Sequence, residues 1–531
     1  MSSRIRAQGI DPPPVELPER FNMAAPFLDR HFQERRGPQT AMQCEGRTFT
    51  YAETLEMVNR AGNGLRNMGL EKGDRLLLIL PDGPEFVAAY FGAVKIGAVA
   101  VPTNPGLRAS DYAYFLDESE AAAAIVHASA WQQVEPALED RAHLREIVVA
   151  GEPKTGRLFW DDWLSSQPAQ LEAAPTNKDE IAFWLWTSGS TGPPKAALHR
   201  HRDWIYCCRY YAQGVLGITP QDLTFSSSKL YHAYGLGNSL LFPFHAGATT
   251  VLSAAHPSAS QLLRQAQQFR PTLFFSVPTF YAAMLQETDR DNSYDLSSVR
   301  LAVSAAEPLP AGIYHRWRER FGSEILDGVG STEALHIYIS SRPGQSKPGS
   351  AGRPVAGYHL RITGEQGDLV PQGEVGDLWV KGDSIAPGYW NRPELSRQRM
   401  QGEWFFTGDK FFQDADGYLW YAGRADDMFR VSGQWVSPIE VENTLIEHPA
   451  VLESAVVPYQ DENRLLKPKA YVVLKPGQTE GEELARELQA FVKARISPYK
   501  YPRRIEFTAS LPKTSTGKIQ RFQLRLPENP A

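Results

Sequence analysis

Cysteine is scarce in this chain of 531 residues, which contains three. Cys207 and Cys208 are adjacent and Cys44 lies far from both in the sequence, so the three residues form neither a disulfide framework nor a metal-ligand spacing. This scarcity excludes a small, disulfide-stabilised secreted scaffold. It predicts a protein of a reducing compartment, the cytoplasm.

The sequence also lacks a long hydrophobic run and a large excess of either charge. No apolar stretch approaches the roughly 18 to 20 residues that cross a bilayer, and residues 1–20 have no apolar core of the kind found in signal peptides. The 55 Lys and Arg residues against 61 Asp and Glu residues leave a formal net charge of -6, which is not typical of a nucleic-acid-binding protein. We therefore expect a soluble protein without nucleic-acid or membrane partners.

Short apolar runs alternate with helical periodicity in the N-terminal part of the chain. The run 75–80, the helical pattern 85–96 and the run 98–101 form one such unit, and the same alternation recurs between residues 249 and 304. This rhythm is typical of parallel sheets covered by helices. We predict an α/β fold with doubly wound sheets, in which binding residues lie on loops beyond the strand ends.

The pattern changes from about residue 357 to short β-like segments broken by Gly, Pro and Asp, which predicts a β-rich subdomain. A separate unit with two helical and two strand-like patterns follows the charged stretch 423–438. We therefore divide the chain into a large N-terminal domain, residues 1–425, and a small, mobile α+β C-terminal domain, residues 426–531.

The segment 187–195 combines Ser and Thr hydroxyls, glycines and a lysine directly after an apolar run. Glycines let backbone N–H groups approach an anion, hydroxyls add donors and lysine adds a positive charge, so the segment suits a polyphosphate. It is not a Walker A loop, because Pro193 and Pro194 separate its last glycine from Lys195. Taken alone, the segment could also be an ordinary Ser/Gly turn.

Four further motifs follow in a fixed order: residues 327–333 (DGVGSTE), 407–409 (TGD), 423–427 (GRADD) and 512–518 (PKTSTGK). Together with residues 187–195 they resemble the core motifs of the adenylate-forming superfamily, which includes acyl- and aryl-CoA ligases, peptide adenylation domains and luciferases. The resemblance extends over residues 49–518. Within that superfamily, residues 231–235 and 329–336 are most similar to the benzoate-CoA ligase branch.

The resemblance implies an enzyme that uses ATP and Mg²⁺. The nucleotide-binding positions that it implies are Thr187, Ser188, Ser190, Thr191, Lys195, Asp327, Gly328, Asp409 and Arg424. The catalytic positions that it implies are Thr332 at the α-phosphate, Glu333 as a Mg²⁺ ligand with Thr191 as a second metal contact, and Lys518 between the attacking carboxylate and the α-phosphate. Taken alone, residues 331–333 could cap a helix, Asp409 and Arg424 could form a surface ion pair, and Lys518 could be a solvated charge.

The acid and CoA sites are implied in the same way. The acyl pocket combines small and aromatic residues that suit a planar acid, although they could also pack a core: Tyr231, Ala233, Tyr234, Ala305, Gly330, His336 and Ile337. Asp426 corresponds to the family's hinge. Arg430, Gly433 and Lys500 are candidates for contacts with CoA, and Arg430 replaces the lysine that the family usually has. The densest basic run, residues 199–202, could contact CoA phosphates or be a solvated helix face.

We therefore expect an AMP-forming aromatic carboxylic acid:CoA ligase that acts through an aroyl-adenylate. The alternatives are an aryl acid adenylation enzyme that loads a carrier protein in trans, a CoA ligase for another small acid, a nucleotide-binding regulator and a luciferase-like oxygenase. The ring substituents that the site accepts and the oligomeric state, with a homodimer as one alternative, stay open.

Overall fold

The computed structural model of the chain describes residues 6–7, 12–138, 141–187, 193–424, 427–431, 434–462, 465–513 and 519–525. These residues form two large, mostly parallel sheets, an antiparallel sheet and a smaller C-terminal unit. The predicted α/β architecture with a separate β-rich region is thereby confirmed.

The first large sheet contains the strand-helix-strand unit that the sequence predicts near residue 85. Its strands are parallel except for the edge strand Lys195–Arg200, which runs antiparallel to Ile181–Thr187. The central strand Arg75–Ile79 is buried along almost its whole length, as is typical of a sheet covered on both faces. In spatial order the strands are Lys195–Arg200, Ile181–Thr187, Val99–Pro102, Arg75–Ile79, Ala123–His127, Glu146–Ala150 and Leu158–Phe159.

The second large sheet has a parallel centre and antiparallel edges. One edge is a hairpin formed close to the N-terminus, and the other contains strands that flank the predicted catalytic residues. In spatial order the strands are Arg353–Pro354, Ile337–Ser340, Glu324–Gly330, Leu301–Ser304, Leu273–Ser276, Leu223–Ser226, Thr249–Leu252, Thr40–Cys44 and Arg47–Thr50.

A helix pair and its neighbours join the two large sheets into one hydrophobic core. The helix Tyr51–Asn67 begins with a capping box, in which Thr50 and Glu53 each bind the other's backbone N–H. It packs closely on the helix Pro84–Ile96, because a Cβ on Gly92 would lie 2.9 Å from the backbone nitrogen of Gly62.

The remaining helices cover the sheet faces or connect the strands. The α-helices are Arg30–Gln33, Ala109–Ser119, Trp131–Val134, Trp160–Ser165, Asp203–Cys207, Ala233–Leu236, Phe242–Ala246, Ala259–Phe269, Pro278–Arg290, Ala311–Phe321, Pro393–Arg399, Pro438–Ile446, Glu482–Arg495 and Arg521–Leu524. Short π-helices cover Ala25–Asp29, Cys208–Gln213 and Gly237–Leu241, and 3₁₀ turns cover Ala128–Ala130, Glu135–Ala137 and Pro498–Lys500. None of the helices within the described ranges has both the length and the apolar composition of a membrane span.

The β-rich subdomain and the C-terminal unit follow in the order that the sequence predicts. The antiparallel sheet of the subdomain contains Arg6–Ala7, His359–Thr363, Gly376–Lys381, Met400–Gln401, Trp404–Gln413 and Leu419–Arg424. The C-terminal unit contains the strand pair Phe429–Val431 and Gln434–Val436 and a sheet of Val451–Gln460, Leu466–Leu474 and Arg504–Phe507. It has a hydrophobic core of its own, distinct from the core between the large sheets.

Candidate active site

Lys195 begins the antiparallel edge strand, directly opposite Thr187 in the strand register. The two ends of the predicted phosphate-binding segment are therefore neighbours, and Ser188, Ser190 and Thr191 lie outside the described residues. Burial lowers the pKa of Lys195, and the nearby carboxylate of Glu333 opposes that shift. The edge strand thus presents a partly buried cation beside an acidic residue from the other large sheet.

Residues 331–336 form a turn between the strands Glu324–Gly330 and Ile337–Ser340. The alternative that Ser331 and Glu333 cap a helix is therefore wrong, although Ser331 Oγ does accept a hydrogen bond from the backbone N–H of Ala334 at 3.1 Å. Gly330 is required here, because a Cβ at this position would lie 2.5 Å from the carbonyl oxygen of His336. The turn places Glu333 at the junction of the two large sheets.

Glu333 is only 8% exposed, and its carboxylate accepts a hydrogen bond from the hydroxyl of Tyr389 over 2.6 Å. The ring of Tyr389 also faces Lys195, whose Nζ lies 4.6 Å from the ring centroid. One aromatic side chain therefore contacts both the predicted phosphate lysine and the predicted metal ligand.

His199 connects the edge strand with the same turn. Its Nε2 donates a hydrogen bond to the carbonyl oxygen of Thr332 over 2.8 Å, and its Nδ1 lies 3.3 Å from Asp203. His199 and His201 are completely buried, so the interpretation of this basic run as a solvated helix face is wrong. The run is part of the scaffold that joins the edge strand to the turn that contains Thr332.

Asp409 and Arg424 are cross-strand partners in the β-rich subdomain. A guanidinium nitrogen of Arg424 lies 3.1 Å from Asp409 Oδ1, and the Tyr421 hydroxyl lies 3.5 Å from the same oxygen. Burial raises the pKa of Tyr421, whereas the nearby guanidinium groups of Arg424 and Arg521 oppose that shift. The pair predicted to bind a ribose diol is thus preassembled.

Asp327 is a buried acid close to the end of its parallel strand. Its Oδ2 accepts a hydrogen bond from the backbone N–H of Leu309 at 3.4 Å. Burial raises the pKa of this carboxyl from 3.8 to about 8. The adjacent Gly328 leaves room for Ile337, since a Cβ on Gly328 would lie 2.8 Å from that side chain.

The raised pKa of Asp327 predicts a pH dependence of stability. Between pH 4 and about pH 8 the folded chain retains a proton that the unfolded chain releases, so this residue makes folding less favourable as the pH rises. Asp327→Asn removes this ionisation. In urea unfolding without nucleotide, the free energy of unfolding of the variant relative to the wild type should rise by about 2–4 kcal/mol between pH 5 and pH 8. Each unit of pKa shift corresponds to about 1.4 kcal/mol.

The control for that experiment is Asp368→Asn at an exposed position. It should leave the pH dependence of the unfolding midpoint unchanged. If the free energies of unfolding of the wild type and Asp327→Asn changed with pH in parallel, Asp327 would be ionised in the folded chain and the prediction would be wrong.

Tyr234 and His336 form the best-defined part of the predicted acyl pocket. The Tyr234 hydroxyl donates to the carbonyl oxygens of Ser276 and Val303 at 3.2 and 3.1 Å, and its ring centroid lies 5.6 Å from that of His336. The His336 ring also contacts Phe242 at 4.5 Å. Burial lowers the pKa of His336 to about 3, so this imidazole is neutral.

The other predicted pocket residues border the same region. Ala233 and Tyr234 pack on the main core, and Ile337 is buried. Ala305 follows the strand Leu301–Ser304. The centroid of the Tyr231 ring lies 4.6 Å from that of His232.

Two non-glycine residues beside this pocket have left-handed backbone. Ala306 has a φ of 75° and Leu335 a φ of 72°, directly after Ala305 and directly before His336. Such conformations cost free energy and concentrate at binding and catalytic sites. Their position is consistent with a pocket whose geometry is imposed by the fold.

The candidates for CoA contacts are engaged by carboxylates. Arg430 forms an ion pair with Glu365 of the β-rich subdomain and lies over the ring of Trp435 at 4.5 Å. Lys500 binds both carboxylate oxygens of Glu440 at 2.8 and 2.6 Å, within the C-terminal unit. Gly433 lies outside the described residues.

The predicted hinge is flanked by ion pairs. Asp426 and Lys518 lie outside the described residues, but Asp427 pairs with Arg525 at 2.6 Å and with Arg521 at 3.5 Å. Arg521 also binds Glu442 at 2.6 Å. Residues 521–525, which follow Lys518 closely, are therefore anchored to the C-terminal unit through Asp427 and Glu442.

The described residues around Glu333 fit a magnesium ion that arrives with a nucleotide. Within the described ranges, no cluster of three or more His, Cys, Asp or Glu side chains is arranged as a metal site. Mg²⁺ needs no such cluster, because it is commonly bound through one or two carboxylates together with substrate phosphates and water. Glu333 would be such a carboxylate, and the Tyr389 hydroxyl donates to its Oε1.

A sequence profile of the AMP-binding enzyme family matches residues 29–390, more than half of the chain. The chain belongs to the AMP-binding enzyme family. The profile of the AMP-binding enzyme C-terminal domain matches residues 440–518. This AMP-binding enzyme therefore carries both family domains, in agreement with the resemblance seen in its motifs.

Relatives of known activity cover this AMP-binding enzyme almost end to end. A benzoate–CoA ligase of Thauera aromatica is 45% identical over 516 residues, which cover 97% of each chain. A solved anthranilate CoA ligase in complex with anthranoyl-AMP is 43% identical with a TM-score of 0.92 over 96% of this chain and 97% of that chain. A solved benzoate CoA ligase from Burkholderia xenovorans LB400 is 42% identical with a TM-score of 0.88, over 95% of this chain and 100% of that chain. The predicted resemblance to the benzoate-CoA ligase branch is confirmed, as is a large N-terminal domain followed by a smaller C-terminal domain.

Sequence reasoning missed two residues of this AMP-binding enzyme's site. Tyr389 follows Gly388 in a loop and contacts a residue 56 positions away, and His199 contacts the carbonyl of a residue 133 positions away. A signal was present for His199, which lies within the basic run, but charge alone did not distinguish a surface site from a buried hydrogen-bond network. No local pattern singled out Tyr389.

Proposed function

We propose that this enzyme joins an aromatic carboxylic acid to coenzyme A, with cleavage of ATP to AMP and pyrophosphate. The observation that carries the proposal is the convergence of Lys195 and Glu333 on Tyr389 in a chain that shares 45% identity with a benzoate–CoA ligase over nearly its whole length. Tyr234, His336 and Phe242 give the adjacent pocket aromatic walls that suit a flat acid.

In the first half-reaction, a carboxylate oxygen of the acid attacks the α-phosphorus of ATP and pyrophosphate leaves. We assign the β- and γ-phosphates to Lys195 and the hydroxyls of residues 187–191, and the ribose hydroxyls to Asp409 and Arg424. Mg²⁺, when bound through Glu333, would neutralise phosphate charge. Thr332 would donate to the α-phosphate, and Lys518 would stabilise the charge that develops between the carboxylate and phosphorus.

In the second half-reaction, the thiol of CoA attacks the carbonyl carbon of the aroyl-adenylate and AMP leaves. A thiol with a pKa near the roughly 8.5 of cysteine has a usable thiolate fraction at neutral pH, so we assign no protein base. Arg430 stays a candidate for CoA because its present partner, Glu365, belongs to the β-rich subdomain. Lys500 is a weaker candidate, because Glu440 lies in the same unit and would accompany it.

We further propose the domain boundary between residues 425 and 426, with rotation of the C-terminal domain between the half-reactions. The separate hydrophobic core of that unit supports independent movement. The three cysteines of the chain, all in its N-terminal part, are buried free thiols, which supports a reducing compartment such as the cytoplasm. The oligomeric state, with a homodimer as one alternative, stays open.

The test is incubation of the enzyme with ATP, Mg²⁺ and a panel of acids, with and without CoA, followed by mass detection of AMP and acyl-CoA. We expect aroyl-CoA from benzoate and its close ring-substituted analogues and none from long-chain fatty acids. Accumulation of aroyl-adenylate without consumption of CoA would replace the proposal by the carrier-protein alternative. Absence of adenylate with every acid would contradict both.

A further inference from the structure

Tyr389 lies between two charged groups that the proposed function assigns to ATP. It is 5% exposed, its hydroxyl donates to Glu333 Oε1 at 2.6 Å, and its ring lies 4.6 Å from Lys195 Nζ. The Lys195 ammonium and the Glu333 carboxylate interact electrostatically, but among the described residues they do not form an ion pair within 4 Å. The phenol therefore contacts a cation on its face and an anion through its hydroxyl.

The backbone of Tyr389 is fixed to the edge strand that carries Lys195. Tyr389 forms a β-bridge with Ala197, and hydrogen bonds from Leu198 N to Gly388 O and from Trp390 N to Ala196 O flank it at 3.1 and 3.0 Å. This pairing fixes the backbone position of Tyr389 relative to the strand that carries Lys195.

The same segment is fixed to the turn that carries Glu333. The backbone N–H of Ala386 donates to the carbonyl oxygen of Glu333 at 2.8 Å, and Ser384 Oγ donates to the carbonyl oxygen of Ala334 at 2.7 Å. The segment 384–390 thus joins the phosphate strand to the turn, and Tyr389 adds a contact between their side chains.

The chemistry of the contact favours a free second oxygen on Glu333. A carboxylate has two oxygens, and a donor fixed on Oε1 sets the direction of Oε2. Partners of this kind orient metal ligands, and their loss commonly lowers metal affinity by about 10- to 100-fold.

The ring contact keeps Lys195 available for phosphate. In a partly buried site, an unshielded ammonium and carboxylate attract one another strongly. A direct ion pair would engage the Glu333 oxygen that we assign to the metal and the Lys195 ammonium that we assign to phosphate. The aromatic face holds Lys195 by a cation–π contact instead.

We propose that Tyr389 is a positioning residue that presents Glu333 to the metal of the Mg²⁺–ATP complex and keeps Lys195 separate from it. This role rests on the proposed function. Tyr389→Phe removes the hydroxyl but keeps the ring, whereas Tyr389→Leu removes both, so the two variants separate the two contacts.

The experiment measures binding, independently of turnover, with Mn²⁺ as the probe metal followed by EPR. In the presence of ATP, Tyr389→Phe should weaken Mn²⁺ binding by about 10-fold or more, and its affinity for ATP in EDTA should equal that of the wild type. Tyr389→Leu should weaken both. Tyr418→Phe, which loses a hydroxyl donating to the carbonyl of Gln345 away from the site, is the matched control and should change neither.

A double-mutant cycle shows whether Tyr389 acts through Glu333. In a Glu333→Gln background, Tyr389→Phe should have little further effect on Mn²⁺ binding, because the two residues form one unit. Equal weakening in both backgrounds would overturn the proposal, as would unchanged Mn²⁺ binding by Tyr389→Phe alone. Failure of the wild type to bind Mn²⁺ with ATP would instead contradict the proposed function.

Discussion

Replacing Lys518 with alanine is expected to slow formation of the aroyl-adenylate by about 100- to 1,000-fold or more, the typical cost of removing a group that stabilises transition-state charge. Thioester formation from pre-made aroyl-adenylate and CoA should be much less affected, because the role proposed for this lysine is limited to the attack at phosphorus. Pyrophosphate exchange measures the first half-reaction, and CoA-dependent release of AMP from the pre-made adenylate measures the second.

Lys513→Ala is the matched control for that experiment. Lys513 lies in the same motif, but its Nζ forms an ion pair with Glu453 at 2.6 Å within the C-terminal unit. Its replacement should leave both half-reactions near wild-type rates. Equal losses of both half-reactions in Lys518→Ala would remove this residue from the adenylation step, since a general effect on folding or domain docking would explain them.

Replacing Asp409 with alanine should weaken ATP binding by about 100- to 1,000-fold and leave the affinity for the acid nearly unchanged. The carboxylate would lose charge-assisted hydrogen bonds to the ribose, each contributing about 1.5–3 kcal/mol. Arg424, which now lies 3.1 Å from Asp409, would also lose its partner. Pyrophosphate exchange as a function of ATP concentration measures the effect.

A second substrate gives the Asp409 prediction its specificity. The wild type should discriminate strongly against 2′,3′-dideoxy-ATP, whereas Asp409→Ala should discriminate much less, because only Arg424 of the assigned pair remains to contact the ribose hydroxyls. Asp416→Ala is the control, because Asp416 pairs with Lys347 on the surface of the same subdomain at 2.9 Å. Undiminished discrimination by Asp409→Ala would assign the ribose to other residues.

The sequence predicts the fold well where local patterns determine it. Apolar runs alternating with helices identify parallel strands such as Arg75–Ile79 and Leu273–Ser276, because strands buried on both faces are almost uniformly apolar. The antiparallel direction of Lys195–Arg200 was not predicted. The direction of an edge strand depends on the path of the loop before it. The amino-acid composition of the strand does not determine that path.

The site is predictable where a short motif carries it and obscure where distant residues assemble it. Lys195, Glu333, Asp409 and Arg424 lie in recognisable motifs, and the structure places each of them beside charged or polar partners. Tyr389 is defined by contacts with two distant segments, so no window of sequence contains its environment. For the basic run 199–202, the deciding factor is burial, which residue type alone does not determine.

The ion pair between Arg430 and Glu365 joins the C-terminal unit to the β-rich subdomain. Both side chains are substantially exposed, at 47% and 63%, and an exposed pair typically contributes about 0–1 kcal/mol, or a factor of up to roughly five in a population. Dissolved salt screens the attraction between exposed charges, and the Debye length is about 8 Å at physiological ionic strength. With the proposed rotation of the C-terminal domain, a higher ionic strength would weaken this contact and would shift the relative populations of the two domain orientations.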